Sequence, residues 1–189
     1  MTAPAPFEEV NPALTWTDFL ALPDDDRREL VDGKLMELEM PTWLHEHIVG
    51  RLVFFLTLWA LDRGATVLPS GYKVRIHARK AFIPDVQLYL RDNPHRGQEQ
   101  GLAEGRPDLV VEVISPTSRR HDRLTKVEGY ARIGVPEYWI VDAEARSIER
   151  LVLRDGLYTL AGGAMEAELF QPAAFEGLQI PLDKLWSTD

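Results

Sequence analysis

Two acidic residues stand where a carboxylate has little reason to be unless it works. Glu112 lies inside Leu109-Val110-Val111-Glu112-Val113-Ile114, an apolar run closed by Ser115-Pro116. Such a β-branched run reads as a buried strand. A carboxylate there must be paired, shift its pKa or pay a large desolvation cost. Asp85 opens a second run, Phe82-Ile83-Pro84-Asp85-Val86-Gln87-Leu88-Tyr89-Leu90. Two such strands side by side would aim both carboxylates at one cation; the plainer alternative is a Glu paired with some Arg. With backbone carbonyl and water added, the pair suits Mg²⁺ or Mn²⁺ rather than zinc. Lys126, on the helix after the Glu112 strand, is the cation that can face them. A lysine beside such an ion can orient water or stabilise charge building on a phosphate. The alternative for Lys126 is an ordinary i, i+4 pair with Asp122. The chemistry implied is metal-assisted phosphodiester hydrolysis. Arg119, Arg120 and Arg123 crowd the start of that helix with Ser118 and His121. They offer phosphate contacts at a helix N-terminus, or form a solvated helix start.

Length and composition bound what can position these groups. A chain of 189 residues, 45% hydrophobic, reads as one domain from residue 14 to 189 behind a loose Ala/Pro-rich tail, residues 1–13. No cysteine is present, so a disulfide framework and a thiolate zinc site are excluded. A net charge of −9 argues against a protein that coats nucleic acid by bulk charge, but not against a local basic patch. No basic-then-apolar leader opens the chain, so a cytoplasmic location is expected.

The elements follow from the pattern. Thr15 caps a short helix through Trp16, Phe19 and Leu20. Asp32-Gly33 is the favoured pair for a two-residue hairpin turn. Residues 43–63 read as a long, largely buried helix, with Leu44, Ile48, Leu52, Phe55 and Trp59 at i+3 and i+4 steps. His45, Glu46, His47, Arg51 and Asp62 interrupt it, so it is not read as a membrane span. His45 and His47 are two apart and face different ways. Residues 65–68 and 72–77 are strand-like around Pro69-Ser70-Gly71, and the second alternates an apolar face with Lys73, Arg75 and His77. Ser118 is expected to cap a helix running to Ile133, with Leu124, Val127 and Ala131 on its core side and Asp122, Lys126 and Tyr130 as a stripe beside it. Residues 137–141 form another strand, 147–160 an appended hairpin, and 182–186 a terminal helix. Elements in this order make a mixed sheet with helices packed on it, an α/β (α+β) fold.

Several of these segments occur together in one known family. ELVDGKL, the His45 helix in HEHIVGRL, IPDV, PDLVVEVISPTSRRHD, the Lys126…Tyr130 pair and GVPEYWIVD cover most of residues 29–142. In order and spacing they resemble the Uma-type putative restriction endonuclease family, within the PD-(D/E)xK nuclease superfamily. That resemblance implies a restriction-endonuclease-like mixed sheet flanked by helices with added hairpins, and a core at about residues 29–142. It implies Asp85 and Glu112 as metal-binding and catalytic acids, Mg²⁺ or Mn²⁺ as cofactor, and DNA as substrate. His45, Tyr130, Asp122 and Asp108 are candidates for groups behind the metal ligands, though Asp108 reads more readily as the opening of a turn. The superfamily's lysine should lie two positions after Glu112, where this chain has Ile114. The resemblance suggests that it has migrated to Lys126. A metal-dependent endonuclease and a catalytically silent DNA-binding or regulatory module on the same fold are the two functions open here. A homodimer would suit double-strand cutting, but no stretch of the sequence shows an interface.

Overall fold

The computed structural model describes residues 13–23 and 25–188; the expected tail, apart from Ala13, lies outside them. Its centre is a six-stranded sheet in the order β10-β9-β8-β7-β6-β3. The strands are β3 (Thr66–Pro69), β6 (Val86–Tyr89), β7 (Leu109–Ile114), β8 (Glu137–Asp142), β9 (Ser147–Arg154) and β10 (Leu157–Met165). Only the β7–β8 pair is parallel, and the chain makes that crossover through the helix that carries Lys126. The Asp85 and Glu112 segments are neighbours as expected: β6 and β7 run antiparallel with Val86 opposite Val111. Every residue of β7 and β8 is buried, which explains why both read as nearly continuous apolar runs.

A second sheet of four strands, in the order β2-β1-β5-β4, contains β1 (Glu29–Val31), β2 (Lys34–Met36), β4 (Val74–His77) and β5 (Lys80–Phe82). The β1–β2 turn holds Asp32 and Gly33 at φ of 51° and 81°, the left-handed pair that an Asp-Gly hairpin turn requires. Gly33 also lies against Ala13, where a Cβ would come within 2.7 Å of the alanine methyl. Two sequence expectations change here. Residues 65–68 and 72–77 do not pair with each other; the chain leaves one sheet at Pro69 and enters the other at Val74. Likewise residues 82–90 are not one strand. Phe82 ends β5 and Val86 begins β6, so Asp85 stands where the chain passes from the small sheet to the large one. Prolines at 69 and 84, which cannot donate to a ladder, mark both crossings.

Helix α1 (Trp16–Leu20) is held by a capping box between Thr15 and Asp18 and closes the small sheet over Phe19 and Leu30. Helix α2 (Trp43–Leu61) covers one face of the large sheet, with Leu52 and Leu56 fully buried, but it is not the largely buried helix expected: Leu44, Phe54, Leu58 and Leu61 are exposed because only one side of the helix meets the sheet. Each of the two buried leucines contributes about 2 kcal/mol of transfer free energy. By length and composition α2 could cross a membrane, but its buried side is core packing against the sheet. The opposite face of the sheet carries Val110, Ile114, Tyr138 and Ile140, covered by Val74, Ile76, Phe82 and Tyr130. The hairpin after β8 is not an appendage: β9 and β10 extend the central sheet. The chain finishes with β11 (Leu169–Phe170), β12 (Ile180–Pro181) and helix α4 (Asp183–Trp186).

Candidate active site

The helix after β7 begins at Arg119 and does not run as a plain α-helix. Residues His121–Lys126 form a π-helical turn before α3 (Val127–Ile133). Such wide turns are rare and concentrate at functional positions. The turn decides which side faces the sheets. Leu124, expected in the core, is 60% exposed, whereas Asp122, Lys126, Gly129 and Tyr130 are buried. The polar stripe expected beside the core thus is the inner face. Gly129 makes the close approach possible, since a Cβ there would lie 2.4 Å from the Phe82 ring.

Lys126 is the hub. Its Nζ lies 2.9 Å from Glu112 Oε2, 3.0 Å from Glu29 Oε1 and 3.4 Å from Asp122 Oδ1. The sequence reading left open whether Lys126 meets Glu112 or pairs with Asp122; it does both. Glu112 is completed by the Tyr130 hydroxyl, which donates to Oε1 at 2.8 Å. Glu29 is fully buried and also pairs with His121 Nε2 at 2.7 Å and accepts from the Ile83 amide at 2.9 Å. Asp85 Oδ2 accepts from the Val113 amide at 2.8 Å and lies 3.3 Å from His45 Nε2. His45 is thus a neighbour of Asp85; its Nδ1 is buried without a hydrogen bond, with Glu46 Oε1 3.9 Å away. Part of this cluster borders a cavity of about 290 Å³, lined by Asp85, Glu112, Lys126, Asp122, His45 and Glu39 among others.

The electrostatics follow from an excess of carboxylates around one lysine. Burial pushes the Glu112 pKa well up; Lys126 opposes this, while Asp85, Asp122 and Glu29 add to the rise. Burial alone would lower the Lys126 pKa, but Glu112, Glu29 and Asp122 outweigh it and hold the ammonium well above its ordinary value. Burial also acts to raise Glu29, yet Lys126 and His121 keep it below the usual carboxylate range. Burial works against a charged His45, and Asp85 overcomes it, raising the imidazole pKa. The lysine is thus a fixed positive charge, and burial with like charge around it makes Glu112 gain from a cation.

The donor set can be tested against a hard divalent ion. No group of three or more His, Cys, Asp or Glu side chains among the described residues is arranged to hold a metal. Asp85 and Glu112 nonetheless line one cavity, and one or two carboxylates suit Mg²⁺, which keeps several waters and takes further ligands from substrate phosphate. Asp85 Oδ1 takes part in none of the bonds above, and Glu112, crowded by like charge, gains from a cation beside it.

Residues 16–183 match the model of the Uma2 family, described as putative restriction endonucleases. The chain belongs to that family. Its fold is also that of a solved structure, a putative nuclease of DUF820 from Anabaena variabilis ATCC 29413. The two chains are 18% identical, with a TM-score of 0.73 over 92% of this chain and 97% of the other. No curated protein matches this chain. Within this Uma2 chain, Ile114, two positions after Glu112, is 3% exposed and packed in the apolar cluster with Val110 and Tyr138.

The remaining candidates lie outside the cluster. Asp108 sits at the other end of β7, where it accepts from the Leu90 amide at 2.7 Å and from Asn93 Nδ2 at 2.8 Å. It secures a turn. Arg119 pairs with Asp142 and Glu144, and Arg123 makes a two-pronged contact with Glu149. Arg120 is exposed. Glu29 and His121 were not singled out as site residues by the sequence. A signal existed for Glu29: it directly precedes Leu30-Val31 and the Asp32-Gly33 turn, where a charged residue on a very short strand has to face either solvent or a partner.

Proposed function

We propose that this chain is a metal-dependent endonuclease that hydrolyses phosphodiester bonds in DNA, using Asp85, Glu112 and Lys126. The observation that carries the reading is the 2.9 Å contact between Lys126 Nζ and Glu112 Oε2. It brings a lysine to the acidic strand although the expected position is occupied by a core isoleucine. Asp85 and Glu112 are the residues that would hold Mg²⁺ or Mn²⁺. Bound there, the ion would polarise the phosphate and lower the pKa of water.

The chain's own residues supply the rest. Lys126 keeps its proton and is fixed by Glu29, Glu112 and Asp122, so it presents a preorganised positive charge where negative charge grows on the phosphate. Tyr130 orients Glu112 through its hydroxyl, and His45 and the Val113 amide orient Asp85. Of the arginines proposed for phosphate, Arg120 is the one with no carboxylate partner among the described residues. Phosphate would have to displace acids from Arg119 and Arg123.

The test is cleavage of supercoiled and linear DNA at stated salt with Mn²⁺ or Mg²⁺, against chelator. Wild type is expected to cut only with metal, and Asp85→Asn and Glu112→Gln to abolish cutting while remaining folded. Metal-independent cutting, or cutting by both variants, would remove these residues from the chemistry. DNA binding without any cleavage would favour the silent binding module.

A further inference from the structure

We infer that the outer face of α2 is a homodimer interface, in which two copies pack their α2 helices antiparallel about a two-fold axis. The inference is independent of the catalytic reading.

Only one side of α2 meets the sheet. On the other side Trp43 is 66% exposed, Phe54 51%, Leu58 53% and Leu61 69%. At 3.6 residues per turn these side chains, with Gly50 between them, share one stripe along the helix. The sequence of positions 43, 47, 50, 54, 58 and 61 advances in steps of four and three, the spacing of a helix that packs against another helix. His47 borders the stripe, stacked on Trp43 at 5.0 Å, with its Nε2 2.9 Å from the Ser187 carbonyl oxygen of the same chain. The exposed apolar area of the four large side chains is on the order of 500 Å², the upper part of the range in which surface patches tend to be functional. With a polar rim it approaches the roughly 800 Å² per partner of a stable interface.

Gly50 says what covers the stripe. A glycine inside a helix costs about 1 kcal/mol relative to alanine. Within its own chain nothing requires it: a Cβ built at Gly50 meets no atom within 4 Å. It leaves a notch in the apolar stripe, with a protruding phenylalanine four residues on. In a symmetric contact, residue i meets residue j and j meets i. Two antiparallel α2 helices centred between these positions put Phe54 of each copy into the Gly50 notch of the other. The same register sets Trp43 over Leu61 at both ends. A single helix therefore carries both halves of a self-complementary surface, which a second copy of this chain fits without further components.

The experiment measures the mass of the full-length chain in solution by sedimentation equilibrium from about 1 to 100 μM. Wild type is expected at twice 21.5 kDa. Phe54→Asp is expected to be monomeric with an unchanged circular-dichroism spectrum, since the side chain is exposed in the single copy. Gly50→Leu is the sharper variant. It fills the notch with a better helix former, so it should weaken dimerisation at least tenfold while leaving the monomer folded. A monomeric wild type at 100 μM overturns the inference, including one that sediments with liposomes because α2 seats on lipid. So does a dimer whose dissociation constant is the same in wild type, Phe54→Asp and Gly50→Leu.

Discussion

Replacing Glu29 by Gln is expected to cost more stability than its peripheral place in a three-residue strand suggests. The side chain is fully buried and serves Lys126, His121 and the Ile83 amide. Removing one partner of a buried ion pair costs about 3–5 kcal/mol. Here Lys126 keeps Glu112 and Asp122, and a glutamine oxygen can still accept from Ile83, so the lower end, about 3 kcal/mol, is expected. For a chain of this size that is roughly 6–12 °C in Tm. Urea denaturation at pH 7, with the m value checked for constancy, measures it. The pH dependence has a definite sign. Although burial pushes the other way, Lys126 and His121 lower the folded-state pKa of Glu29. Its contribution is therefore present above the unfolded carboxylate pKa and lost as pH falls through the folded value. The gap between wild type and Glu29→Gln should close on acidification. Because Glu29 and Lys126 share one contact, combining Glu29→Gln with Lys126→Met should cost less than the sum of the two, by about 1–3 kcal/mol. A loss under 1 kcal/mol at pH 7, or strict additivity with Lys126→Met, would refute the view of Glu29 as the buried anchor of the lysine.

Other expectations follow from the same geometry. Mn²⁺ should raise Tm, by an amount equivalent to about 2.7 kcal/mol at a hundredfold excess over Kd, and Asp85→Asn and Glu112→Gln should each remove that rise in a thermal melt. Burial and the neighbouring acids raise the Glu112 pKa, so protons compete with metal and affinity by calorimetry should fall as pH falls. Without metal, the raised pKa means that the Glu112 contribution to stability is lost as pH rises through the folded value. Gly129→Ala should destabilise by about 1–2 kcal/mol in chemical denaturation, because overpacking against Phe82 costs roughly 1–3 kcal/mol and exceeds the gain of up to about 1 kcal/mol in helix propensity. Arg120→Ala should leave stability unchanged but weaken DNA binding and reduce the salt slope by about 1.

The parts of the fold that local rules govern were legible in the sequence. The Asp32-Gly33 turn, the Thr15 cap, α2 and the runs at β7 and β8 each follow from a few neighbouring residues. What local pattern could not show was which sheet a strand joins. Pro69 and Pro84 were visible, but a turn that passes between layers looks the same as one that closes a hairpin. The buried ionic cluster proposed as the site was legible where an acid interrupts an apolar run, as Glu112 does. It was hidden at Glu29 because its partners, Lys126 and His121, are more than ninety residues away in the chain. The inner face of the Lys126 helix was misread for a related reason. Leu124 fits a core position by propensity, but the π-helical turn and the pull of three carboxylates on Lys126 turn the polar stripe inward. Likewise Arg119 and Arg123 looked like a free basic patch until the β8–β9 acids closed on them.

The most direct measurement of the central claim is the single-turnover rate of DNA cleavage with saturating Mn²⁺ by wild type and by Lys126→Met, with folding of both verified by circular dichroism. Methionine keeps most of the aliphatic stem of the side chain and removes the ammonium with its charge. If Lys126 stabilises charge on the phosphate in the transition state, the variant should lose about 2–4 kcal/mol of barrier stabilisation, a rate lower by roughly 30- to 1000-fold, while DNA affinity changes little. Equal rates for the two proteins would contradict the assignment of the migrated lysine.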